Sequence, residues 1–216
     1  MRIRRAGVAV ALVAVLAVFG AGCSTTERAD EPPPTSQPPV IVPGTPGGPN
    51  QTVSAVPSQA SSVDPEDVTF LADMMVHHTQ ALRMAGNAKT SAQNAKVKSL
   101  AERIRVGQRP EIEAMRQMLT ARGQTPPDLT HVDHMDHSNM PGMATQDELT
   151  TLEKARGKAF DQLFLSLMIK HHEGAVTMSG TVIDKGSDPQ VSELAQEVGA
   201  TQTKEIATMR QLQKAL

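Results

Sequence analysis

From about position 64 onward, apolar positions recur at spacings of three and four, which predicts helices, and no strand pattern competes. Phe70, Met74, His77, Ala81 and Met84 step by 4, 3, 4 and 3, a stripe that faces a core. Phe164, Met168, His171, Ala175 and Met178 repeat the steps. A second stripe follows each of these: Val97, Leu100, Ile104, Gln108, Glu111, Met115 and Met118, then Val191, Leu194, Val198, Gln202, Glu205, Met209 and Leu212. All the pairs lie 94 positions apart, and "VKSLAERIRVGQRPEIEAMRQML" aligns without a gap on "VSELAQEVGATQTKEIATMRQLQ" at that same offset. A two-helix pattern written twice predicts an all-α domain over 64–216, a four-helix bundle made of two duplicated αα-hairpins.

Polar punctuation agrees with the stripes. Asp64-Pro65 and Asp188-Pro189 each offer an N-cap followed by proline at the first helical position, and Asn94 stands where Asp188 stands. Thr145 with Glu148 forms a capping box ahead of a short helix, and Gly157 marks a break before the long one. Pro110 falls inside a predicted helix, where a kink or a break is expected. A Met/His-rich connecting loop, 124–145, joins the halves.

The N-terminal third reads differently. Arg2, Arg4 and Arg5 precede the apolar run "AGVAVALVAVLAVFGAG" and then Cys23, the chain's only cysteine. That is the pattern of a secretory signal over 1–23. "FGAGC" resembles the lipobox of bacterial lipoproteins, which implies lipidation at Cys23 and an exported protein anchored in the cell membrane, facing the extracytoplasmic side. Residues 24–63 are rich in Pro, Ser, Thr and Gly without an apolar period, and are expected to be a disordered tether. With Cys23 used for lipid, the folded part has no thiolate for a metal. A net charge of −2 with no basic patch or interleaved aromatics argues against a nucleic-acid partner.

Chemistry enters with the polar residues on the stripes. His77, His171, Gln108, Gln202, Glu111 and Glu205 all fall where burial is expected, and a buried carboxylate needs a partner. One reading is structural: Glu111 and Glu205 accept hydrogen bonds from the histidines and fix the register. The other is a metal site built from facing helices, with Glu111 and Glu205 among its candidate ligands. Met74 lies three and four residues before His77 and His78, and Met168 repeats both relations with His171 and His172. Asp73, four residues before His77, could hold that ring's second nitrogen, with Gln108 and Gln202 likewise supporting the ligands from behind. Imidazole with thioether suits copper, Met selecting Cu(I). An iron centre of the ferritin kind wants Glu-x-x-His, which the stripes lack, and zinc makes no use of methionine. The loop "HVDHMDHSNMPGM" adds His131, His134, Met135, His137, Met140 and Met143 as possible further metal contacts.

These segments resemble the exported bacterial family called domain of unknown function 305. The resemblance is carried by "DMMVHHTQALRMA", "GQRPEIEAMRQML", "MPGMATQDELTTL", "FLSLMIKHHEGAVTMS" and "TQTKEIATMRQL", over about 65–213. It implies a ferritin-like four-helix bundle, with copper binding and resistance in some members. The motif positions it carries over are His77, His78, His171, His172, Met74, Met168, Met84 and Met178. Thr79 and Gln80 stand where the family usually reads Gln-Gly.

The expected function is copper binding by a membrane-tethered lipoprotein, for buffering, resistance or handover. No nucleophile–base pair suggests catalysis. The alternatives are a ferritin-type metal-dependent oxidase, and an envelope module that binds another protein and uses its histidines for packing.

Overall fold

The structure, a computed structural model, describes residues 40–42, 51–53, 63–130 and 140–216. The expected signal, Cys23, most of the tether, and the loop residues His131, His134, Met135 and His137 lie outside the described residues. The chain divides into two units, 1–59 and 60–216. In the first, β1 (Val40–Val42) pairs antiparallel with β2 (Gln51–Val53), with Ile41 opposite Thr52.

The second unit is an all-α four-helix bundle. Its long helices are α1 (Pro65–Gly86), α3 (Ala95–Ala121), α5 (Gly157–Lys185) and α6 (Pro189–Lys214). Two short ones, α2 (Ala88–Ser91) and α4 (Gln146–Lys154), fill the connections. Each expected cap forms. Asp64, Asn94 and Asp188 accept from the backbone N–H two residues on, and Thr145 and Glu148 close the capping box. Such caps satisfy amides that the first helical turn leaves unpaired. Gly157 begins α5 at φ +61°, a left-handed backbone that a side chain resists. Pro110 does not break α3, which runs through it. It lies on an exposed face beside Val106, so the carbonyl it leaves without an amide sits toward water. No helix among the described residues is long and apolar enough to cross a membrane.

α1 packs on α3, α5 on α6, and the two hairpins meet through α1 and α5. The core falls into two lobes. One joins Ala81, Met84, Leu100 and Ile104 to Phe160, Phe164, Met168 and Met209. The other joins Phe70, Met74, Met75, Met115 and Leu119 to Ala175, Val182, Val191 and Val198. The start of α1 thus shares a lobe with the end of α5, and its end shares one with the start of α5. The two helices run antiparallel, and residues 77 and 171 stand where the lobes meet.

The stripes are buried at most expected positions. Met118, Met178, Leu194 and Leu212 are only partly buried, at the margins of the lobes. Burial on α1 also exceeds one stripe: Met75, Val76, His78 and Gln80 are covered too. A helix packed by its hairpin partner on one side and the other hairpin on the next has little open surface left.

Candidate metal centre

His77, His78, His171 and His172 are all fully buried between the apolar lobes. His77 and His171 meet across the hairpin interface with ring centroids 3.7 Å apart and planes tilted by 37°. Their neighbours, about 100° further round each helix, turn into their own hairpins instead. His78 Nε2 donates to Glu111 Oε2 at 2.7 Å, and His172 Nε2 to Glu205 Oε2 at 2.8 Å. The duplication has reproduced a whole hydrogen-bonded pair, not merely a stripe.

This arrangement corrects two expectations. The carboxylates pair with His78 and His172, not with the stripe residues His77 and His171. Nor are they fully buried: the Glu111 and Glu205 side chains keep 22% and 18% of their exposure, so water still reaches them. A third correction concerns Asp73. His77 Nε2 donates to the backbone carbonyl of Pro141 at 3.0 Å, and its Nδ1 has no protein partner, so Asp73 does not hold this ring.

The bonds that are made fix the tautomers. A carbonyl or carboxylate only accepts, so His77, His78 and His172 each carry hydrogen on Nε2, and the neutral His77 ring keeps its lone pair on Nδ1. Those three Nδ1 atoms are buried without a protein partner, and so are both nitrogens of His171. The Gln108 and Gln202 carboxamides, also buried, are unpartnered at every polar atom. Burial holds His77 and His171 neutral. It pushes His77 down to about 3, with the charge His78 would carry adding to the effect. Burial likewise pushes His171 well below the ordinary histidine value, with His77 as the next cause. Native proteins rarely leave buried polar groups unpaired, and a bound water or ion would satisfy these atoms. Neutral imidazole is the ligand form of histidine.

Thioethers flank the layer. Met74 and Met168 are fully buried one helical turn from the histidines, in opposite lobes. Met115 and Met209, again 94 positions apart, are as deeply buried in those same lobes. Met84 and Met178 stand seven residues beyond His77 and His171, roughly 10 Å along the helix axes. Met84 is buried and Met178 partly exposed. Met143 is buried with Val76, and Met140 packs against them. Among the described residues, no three His, Asp or Glu side chains converge as a ligand set. The imidazoles of His77 and His171 meet as a pair, with Met74 and Met168 one helical turn away along their own helices.

The sequence reading missed Asp67 and Asp161. Both are 1% exposed, and each caps the opposite hairpin: Asp67 accepts from the Ser187 and Asp188 amides, Asp161 from those of Gln93 and Asn94. The signal was present, because the two aspartates share the 94-residue offset.

The model of the family described as "Domain of unknown function (DUF305)" matches residues 67–213. Among solved structures, a DUF305 fragment from Deinococcus radiodurans is 35% identical, covering 70% of this chain and 97% of that one, with TM-score 0.64. A DUF305 protein of Streptomyces coelicolor, provisionally described as secreted, is 28% identical over 68% and 91%, with TM-score 0.61. CopM in its Cu(II)-bound form is 29% identical over 69% and 96%, with TM-score 0.60. CopM is also similar in its Cu(I)-bound, silver-bound and apo forms. Comparison with curated proteins gives no match.

Proposed function

The chain belongs to the DUF305 family, and on that premise we propose that it binds copper in an exported, membrane-anchored form, to buffer the metal or hand it on. The observation that carries this reading is the buried pair His77 and His171, in ring contact with three of their four nitrogens unpartnered. Buried polar atoms are ordinarily satisfied by protein, water or an ion, and copper would satisfy these. CopM, at 29% identity, is solved with copper bound, which supports the choice of metal.

Here copper is cargo. His77 and His171 would hold it, with His78 and His172 beside them and Met74 and Met168 as the soft donors within one turn. Thioether and imidazole together favour Cu(I) over zinc. Glu111 and Glu205 act one step out: each holds a histidine by Nε2, as carboxylates behind metal-bound imidazoles do. His131, His134, Met135, His137, Met140 and Met143 would form a weaker site at the connecting loop, suited to capture and release. A lipid at Cys23 and the 24–63 tether would keep the bundle near the membrane.

The test is an anaerobic Cu(I) titration against a competing chelator, made on the chain with His131, His134 and His137 replaced by Ala. Tight binding should remain, with X-ray absorption showing both nitrogen and sulfur neighbours. A chain that competes no better than a copper-free helical bundle would refute the reading.

A further inference from the structure

The two hairpins repeat each other closely around the histidines, but one feature occurs once. Residues 140–144, "MPGMA", cross the bundle beside His77, and among the described residues no counterpart lies beside His171. The Pro141 carbonyl takes the His77 Nε2 hydrogen at 3.0 Å, while His171, the equivalent ring, has both nitrogens unpartnered. The segment is fastened at two points. The buried Gln80 carboxamide donates to the Ala144 carbonyl at 3.0 Å and accepts from the Ala144 amide at 2.7 Å. On α5, Gly174 lies so close that an added Cβ would come within 2.0 Å of the Pro141 carbonyl oxygen, and one on Gly142 within 2.4 Å of the Lys170 carbonyl oxygen. Gln80 and Gly174 occupy the same position in the two repeats, three residues after His77 and His171. One repeat uses that position to grip the segment, and the other uses it to make room.

We propose that residues 140–144 are a positioning strap for the histidine pair: the Pro141 carbonyl fixes His77 with hydrogen on Nε2, so Nδ1 is the nitrogen it offers, and Gln80 and Gly174 hold that carbonyl in place. The pair is thereby made unequal, one ring fixed and the other free to present either nitrogen. What this does for copper rests on the function proposed above; the fixing of the ring does not. Gln80 and Gly174 are positioning residues and touch no ligand themselves.

The test uses the full chain with ¹⁵N-labelled histidine. Long-range ¹H–¹⁵N spectra without metal report which ring nitrogen of His77 carries hydrogen. The parent should show one tautomer, Nε2–H. Gln80→Gly puts at this position the residue its counterpart carries, and should leave His77 a mixture. Gly174→Ala, which pushes the strap off α5, should do the same. Copper affinity should fall about 10- to 100-fold in both, as when other groups behind a metal ligand are lost. A single Nε2–H tautomer that persists in both variants, or a mixture already in the parent, would overturn the proposal. Mixed tautomers with unchanged copper affinity would overturn the positioning role while leaving copper binding in place. A parent that binds no copper would sink the function reading, and the tautomers would still decide whether the strap fixes the ring.

Discussion

Asp67 and Asp161 hold the two hairpins together by the same contact made in opposite directions. Each sits near the start of its own hairpin's first helix and caps the start of the other hairpin's second. The interface of the duplication is therefore reciprocal, with the His77–His171 contact between the two clamps.

The clamps differ in detail, and that predicts a difference in stability. Asp161 uses both oxygens, one on each amide, whereas Asp67 places Oδ2 on both amides and leaves Oδ1 unpartnered. Asn can reproduce the second arrangement with its one oxygen but not the first. Asp161→Asn should cost about 1–3 kcal/mol, and Asp67→Asn distinctly less. Urea unfolding of the two variants checks the order; equal losses would count against it.

Acid should unfold the bundle partly through its buried rings. The folded state holds His77 and His171 neutral, while in the unfolded chain histidine takes a proton near 6.5. The unfolded chain thus binds more protons below that value, so stability is full above it and falls as pH drops. Each ring contributes about 1.4 kcal/mol per pH unit, for His77 down to its folded value of about 3. Unfolding free energies at pH 7.5, 5.5 and 4.5 should show a shallower decline for His77→Leu/His171→Leu than for the parent. Parallel declines would show that the rings are not buried neutral.

Much of this could be read from residues alone. Asp64, Asn94, Thr145 and Asp188 cap helices because a short polar side chain before an apolar period has few other uses. The 94-residue offset was visible because each core position had to be filled twice. The division of labour within each His-His pair was not legible. A stripe marks one face, yet α1 and α5 are covered on several, and neighbours about 100° apart meet different helices. That is why Glu111 was expected to serve His77 and serves His78. Pro141 was invisible for another reason: it acts through a backbone carbonyl, which composition does not report.

The pair His78–Glu111 should couple measurably. His78→Leu leaves a carboxylate that is only partly exposed, so a loss of about 1–3 kcal/mol is expected. Adding Glu111→Leu should return part of it, because replacing both partners removes the unpaired group. The same cycle at His172 and Glu205 should give a similar coupling, since the geometry repeats within 0.1 Å (2.8 against 2.7 Å). Strict additivity at either pair would show that its hydrogen bond contributes nothing.

Replacing His131, His134 and His137 with Ala should remove weakly held copper only. The warrant is that the bundle's imidazole and thioether donors belong to α1 and α5, not to that stretch of the sequence. A titration that loses its tight phase as well would return the buried histidines to a packing role.

The variant that separates packing from binding is His77→Leu/His171→Leu in that same loop-free background. On the expectation that Glu111 and Glu205 served these rings, the change would have stranded two charges at several kcal/mol. The structure removes that penalty, because both carboxylates keep His78 and His172. What is lost is one hydrogen bond to the Pro141 carbonyl, and what is gained is apolar volume between two apolar lobes. Stability should therefore stay within about 1 kcal/mol of the parent or rise. Tight Cu(I) binding should disappear, since the four nitrogens at the centre of the layer are gone. A well-folded double variant that titrates with the parent's affinity and stoichiometry would show that copper, if held by this bundle, is held elsewhere.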